Sequence, residues 1–140
     1  MHENNFILNT DGGARGNPGP AAIGFVISTL SGKVLQKHGE TIGDATNNQA
    51  EYKALIEGLK VILVLGGEKV VCLMDSELVV KQMQGKYKIK EQGLKILASE
   101  ALRLIARLKN IEFKHIPREQ NQLADQLVNG ALDEEEESKK

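Results

Sequence analysis

Residues 6–20 read FILNTDGGARGNPGP. The apolar start, Phe6-Ile7-Leu8, suits a strand, and that strand ends in a carboxylate, Asp11. Glycines and prolines follow at once, so the chain must turn sharply there. A negative charge at a strand end, beside bare backbone, is a place to hold a cation or a phosphate. Three further carboxylates, Glu51, Asp75 and Asp125, share that logic of position.

The pattern extends outward from this stretch as alternating elements. Residues 5–11, 21–29 and 32–42 read as three strands, the last two joined by the short turn Leu30-Ser31-Gly32-Lys33 as a hairpin. The short GARGNPG link favours antiparallel pairing of the first two. Thr46-Asn47-Asn48-Gln49 fits a capping box. Behind it Tyr52, Leu55, Ile56, Leu59, Ile62 and Leu63 recur at helical spacing until Gly66-Gly67. Val70-Val71-Cys72-Leu73-Met74 is short, apolar and bounded by breakers, as in a strand buried on both faces. A helix near 76–84, a longer one over 93–109, a fifth strand Ile111–Ile116 stopped by Pro117, and a last helix from Asn121, as its cap, to Asn129 complete the chain. The order β-β-β-α-β-α-α-β-α implies a mixed sheet with helices on both faces.

A chain of 140 residues suits one domain with one core, here residues 1–132. Its final stretch, 133–140, reads DEEEESKK and carries a net charge of −3; it is expected to be a solvated, disordered or fraying tail, the alternatives being that it docks on the body or inhibits by competing for the basic linker. The body is left at +2, too weakly basic to argue for nucleic acid by charge alone. A single cysteine, Cys72, excludes an internal disulfide framework and points to the cytoplasm. No apolar run approaches a membrane span, and MHENN is not expected to be a signal peptide. No long exposed apolar face suggests a dimer, so a monomer is expected.

Asp11 and Asp75 each close an apolar strand. As parallel neighbours these strands would lie about 4.8 Å apart, which lets both carboxylates share one ion. Glu51 and Asp125 stand about one turn into the first and last helices, where each can reach the same edge. Four such acids repel one another and lose solvation, so the cluster requires cations or partial protonation. An all-carboxylate donor set suits Mg²⁺ or Mn²⁺. Two ions about 3.5–4 Å apart would activate water and stabilise the leaving oxygen of a phosphodiester.

The segments DGGARGNPGPAAIGFVI, TNNQAEYKAL, DSELVV and NQLADQLV, in this order and spacing, resemble type 1 ribonuclease H over residues 5–130. The compact form is similar to the archaeal and short bacterial branch, which lacks a hybrid-binding module. The resemblance implies a five-stranded sheet of order 3-2-1-4-5 with strand two antiparallel. It implies an endonuclease that cuts the RNA strand of an RNA–DNA hybrid, leaving a 5′-phosphate and a 3′-hydroxyl. The family's acid tetrad falls on Asp11, Glu51, Asp75 and Asp125. Asp11 would bridge both metals, Asp125 would help hold the ion that activates water, and Glu51 and Asp75 would serve the other. Asn17, Asn47 and Asn48 match positions that read RNA 2′-hydroxyls. Gly12 and Gly13 would lie against the RNA strand, and Thr46 matches a residue that binds a DNA-strand phosphate as well as reading as a helix cap.

Three departures qualify the likeness. The basic, Trp-containing protrusion of many relatives is reduced to GKYKIKEQ, where Lys86, Lys88 and Lys90 with Tyr87 read either as its remnant or as an ordinary basic linker. The family's loop His has no clear counterpart: His115 reads as part of the strand, and Arg118 is preferred to Glu119 for approaching the scissile phosphate. Asp44 stands where some relatives carry an Arg near the DNA-phosphate pocket, which leaves room for cleavage of double-stranded RNA. Two rivals remain, a related nuclease such as a junction resolvase and a non-catalytic nucleic-acid-binding module. Reading 2′-hydroxyls has no use for the first, and keeping four acids that repel phosphate has none for the second.

Overall fold

The computed structural model describes residues 4–139. Its elements run β1 (Asn5–Ala14), β2 (Gly19–Thr29), β3 (Val34–Ala45), α1 (Asn47–Val64), β4 (Lys69–Met74), α2 (Glu77–Met83), α3 (Gln92–Ile105), β5 (Asn110–His115) and α4 (Gln122–Ser138), with a 3₁₀ turn at Arg118–Gln120 before α4. The five strands form one sheet in the order β3-β2-β1-β4-β5. β2 is antiparallel to β1 and β3, while β4 is parallel to both β1 and β5. This is the topology expected from the resemblance.

One face of the sheet carries the main core. Phe6 and Leu8 of β1, Phe25 and Ile27 of β2 and Val70, Cys72 and Met74 of β4 meet Tyr52, Leu55, Leu59 and Ile62 of α1, with Val79 of α2 and Leu94 of α3 closing it. β1 and β4 alternate buried and half-buried positions, which sets which side chains face α1. The opposite face is covered by α4, whose Val128 and Leu132 pack on Ala22. That contact is close because β2 offers a glycine: a Cβ on Gly24 would stand 2.6 Å from the Ala124 carbonyl oxygen. Among the described residues no helix is long and apolar enough to cross a membrane.

Several boundaries differ from the sequence expectation. The first and third strands each run three residues further, to Ala14 and Ala45, and the second starts two residues earlier, at Gly19, because β1, β2 and β3 keep pairing beyond their apolar stretches. α3 stops at Ile105, short of residue 109. The largest difference is at the C-terminus. Residues 133–138, expected to be disordered, continue α4. Glu and Asp are tolerated on an exposed helix face, and Asp133 and Glu136 each pair with Arg15 from the β1–β2 turn. The opening MHE and Lys140 lie outside the described residues.

Candidate active site

Strand register builds the first half of the site. In the parallel β1–β4 pair, Thr10 stands opposite Met74, so Asp11 and Asp75 follow side by side at the carboxyl ends. Asp11 is buried and Asp75 half-buried. α1 supplies the third acid. Its capping box is present as read: Thr46 Oγ1 accepts from the Gln49 amide at 3.1 Å, and Gln49 Oε1 accepts from the Thr46 amide at 2.9 Å. This fixes the helix start against β1, where a Cβ on Gly12 would lie 2.3 Å from the carbonyl carbon of Ala50. The close approach lets the Gly12 amide donate to Glu51 Oε1 at 2.5 Å. One carboxylate oxygen from each of Asp11, Glu51 and Asp75 lies within 4.8 Å of the other two.

Asp125 joins from α4, outside that tight trio. It lines the same cavity of about 400 Å³ together with Asp11, Glu51, Asp75 and Arg118. Arg118, on the 3₁₀ turn, places Nη2 3.3 Å from Asp125 Oδ1. Asn121 turns out to be the joint that holds α4 here. Sequence reading made it the helix cap, but its side chain makes no cap bond. Fully buried, it donates through Nδ2 to the Thr10 carbonyl at 2.9 Å and accepts from Asn9 Nδ2 at 3.0 Å. Its own carbonyl accepts the Asp125 amide at 3.1 Å. A buried amide beside the β1 end has no local sequence signal, because the partner lies more than a hundred residues away in the chain.

The electrostatics record the crowding. Burial first, then Asp75 and Asp125, push Asp11 up from 3.8 to about 7. Burial, then Asp11 and Asp75, hold Glu51 well above the carboxylate range despite the Gly12 amide. Burial also raises Asp75, which Arg118 opposes. The site therefore satisfies its charge only by keeping protons or by taking a cation. An oxygen-only donor set with this excess of negative charge fits a hard divalent ion.

The remaining expected residues divide into two groups. Gly12, Gly13, Asn47 and Asn48 line the cavity. Asn17 is exposed and does not line it: its Oδ1 accepts the Asn47 amide at 3.0 Å, and Asn47 Oδ1 accepts the Ala14 amide at 2.9 Å. The oxygens of Asn17 and Asn47 are thus engaged within the chain, which leaves Nδ2 as the donor of each side chain. The Thr46 hydroxyl oxygen serves the cap and keeps its own hydrogen to donate. Lys86 and Lys88 are exposed in the loop after α2 and do not line the cavity. His115 ends β5, paired with Met74, and Glu119 is exposed. Asp44 pairs with Pro20 on the exposed end of β3.

A mixed sheet of this order with acids gathered at the ends of its central strands defines a ribonuclease H-like nuclease fold. A family model described as reverse transcriptase-like matches residues 9–131. Superposition on the N-terminal RNase H domain of a Mycobacterium tuberculosis protein gives a TM-score of 0.93 at 42% identity, over 97% of this chain and 99% of that one. The RNase H1 of Halobacterium salinarum follows at 0.90 and 39%, over 93% and 98%. LC11-RNase H1, solved in complex with an RNA/DNA hybrid, gives 0.89 and 47%, over 92% and 97%. The chain belongs to the type 1 ribonuclease H family. It spans 35% of the full bifunctional M. tuberculosis protein, at 43% identity, and 62% of the full Halobacterium ribonuclease HI, at 41% identity.

Proposed function

We propose that the chain is a metal-dependent endonuclease that hydrolyses the RNA strand of RNA–DNA hybrids, leaving 5′-phosphate and 3′-hydroxyl ends. The observation that carries this is the convergence of Asp11, Glu51 and Asp75 within 4.8 Å of one another, in a cavity also lined by Asn47 and Asn48. The four acids, Asp125 included, would hold two Mg²⁺ ions, with Mn²⁺ as substitute. Bound there, such ions supply an activated water and charge stabilisation for the leaving oxygen of the phosphodiester.

The chain's own groups do the rest. Asn17, Asn47 and Asn48 present Nδ2 donors to 2′-hydroxyls, which selects RNA for the strand that crosses the acids. Gly12 and Gly13 keep the rim of the cavity free of side chains. Arg118, a permanently charged group 3.3 Å from Asp125, would bind the scissile phosphate and aid release of the product. Thr46 donates to a phosphate of the DNA strand, and Lys86 and Lys88 add salt-sensitive contacts further out. Asp44 in place of a cation weakens the demand for DNA on the second strand and supports a side activity on double-stranded RNA. The protein acts as a monomer, and its buried reduced cysteine suits the cytoplasm.

The test is cleavage of end-labelled RNA–DNA hybrid, double-stranded RNA and double-stranded DNA, side by side, across Mg²⁺ and Mn²⁺. Hybrid cut on the RNA strand and intact DNA duplex are the expected results. Cleavage of DNA duplex at the hybrid's rate defeats the reading in favour of a DNA nuclease. Tight hybrid binding with no turnover in either metal defeats it in favour of a binding module.

A further inference from the structure

Arg15 lines the same cavity as the acids, and the hydrolysis outlined above gives it no task. It stands at the turn between β1 and β2, its amide donating to the Pro20 carbonyl at 2.8 Å. Its guanidinium reaches across to α4, with Nη2 2.7 Å from Asp133 Oδ1 and Nη1 2.7 Å from Glu136 Oε1. α4 walls the cavity through Asp125, Val128, Asn129 and Leu132. These follow the three- and four-residue spacing of one helix face, and Glu136 is the next position in that series. The acidic end of α4 is thus the prolongation of the cavity wall. Asp133, Glu134, Glu136 and Glu137 are all exposed there.

We propose that Arg15 is a phosphate-binding residue of the substrate groove, held in reserve by the acidic end of α4. The proposal rests on the hybrid-nuclease reading, because the phosphate concerned belongs to the nucleic acid that enters this cavity. A guanidinium fork accepts a phosphodiester in the same planar geometry as a carboxylate. Both present partners are open to water, with Asp133 at 66% and Glu136 at 58% side-chain exposure, so each pair is weak and exchangeable. A polyanion approaching the rim must displace them and lie beside the remaining acids. The end of α4 therefore lowers affinity for nucleic acid twice, by occupying the Arg15 guanidinium and by repelling phosphate.

The experiment is equilibrium binding of a fluorescent RNA–DNA hybrid by anisotropy over roughly 0.05–0.3 M salt, with Asp75→Asn in every chain to block cleavage. Asp133→Asn with Glu136→Gln should bind about three- to tenfold tighter at the low-salt end, with a log–log salt slope steeper by about 0.9, one more phosphate neutralised. Adding Arg15→Ala to that pair should abolish the steeper slope and most of the gain, and Arg15→Lys should keep part of it. Unchanged affinity and slope in the paired variant overturn the proposal, as does a full gain that survives Arg15→Ala. Thermal melts run alongside: lower stability with unaltered binding assigns the ion pairs to anchoring α4 and overturns it equally. Absence of hybrid binding in the parent and every variant defeats the hybrid reading itself, whereas binding that is uniform across variants defeats only this inference.

Discussion

Replacing Asp11 by Asn should stabilise the metal-free protein, although it removes a residue the site is built around. In the folded chain the Asp11 carboxyl is pushed from 3.8 to about 7 by burial and by Asp75 and Asp125. A folded pKa above the unfolded one means that the native state holds the proton more tightly. Stability is then highest below the unfolded value and is lost as pH rises toward the folded one. Each pKa unit corresponds to about 1.4 kcal/mol, so ionising Asp11 at pH 8 costs the fold at most roughly 4 kcal/mol. Asp11 interacts with Asp75, Asp125 and Glu51, which can take up part of the charge, so Asp11→Asn should recover about 1–3 kcal/mol of it. For a domain of this size that is a rise in Tm of roughly 3–10 °C. The assay is thermal unfolding in chelator at pH 8 and at pH 4.5, followed by a Mg²⁺ titration. The difference between variant and wild type should shrink to about a quarter at pH 4.5, where the folded carboxyl is protonated but the unfolded one, at 3.8, is still largely ionised, and should vanish only below that value. Mg²⁺ should raise the wild-type Tm and leave the variant nearly unmoved. A variant less stable than wild type at pH 8, or a gain independent of pH, would refute the view that the acids are mutually repelling in the absence of an ion.

Other residues give sharper tests of how the site is held. Gly12→Ala places a Cβ 2.3 Å from the Ala50 carbonyl carbon, so α1 must shift; a loss of about 2–4 kcal/mol by urea unfolding and a collapse of hybrid cleavage are expected. Asn121→Ala leaves the Thr10 carbonyl and Asn9 Nδ2 without their buried partner, and should cost about 1–3 kcal/mol together with a fall in kcat, as Asp125 loses its anchor. Arg118→Met breaks an exposed contact to Asp125 worth under about 1 kcal/mol, so Tm should hold while kcat on hybrid drops about tenfold; an unchanged kcat assigns Arg118 to the surface alone.

What could be read from sequence depended on how local the cause was. The β4 strand was legible because five apolar residues stand between breakers, and the α1 start because Thr46 and Gln49 answer each other three residues apart. The Asp11–Asp75 neighbourhood followed from strand order, since parallel register brings both strand ends to one edge. The helical end of α4 was not legible: a run of acids reads as solvated, and the Arg15 guanidinium that pairs with it comes from the other end of the chain. Asn121 holds the N-cap position as read, but the destination of its side chain was hidden for the same reason. Its position before a helix suggested a cap, while its bonds go to Thr10 and Asn9 across the fold. The engagement of the Asn17 and Asn47 oxygens with backbone amides was likewise a matter of tertiary geometry, and it narrows their expected role to donation.

The most direct test of the metal-hydrolysis account is the rate of cleavage of an RNA–DNA hybrid, labelled on each strand in turn, by wild type and by Asp11→Asn in Mg²⁺. The account predicts cuts in the RNA strand alone by wild type, and a loss of roughly a thousandfold or more in the variant, whose fold remains intact by its melting curve. Wild-type cleavage rates in a folded Asp11→Asn chain would contradict it.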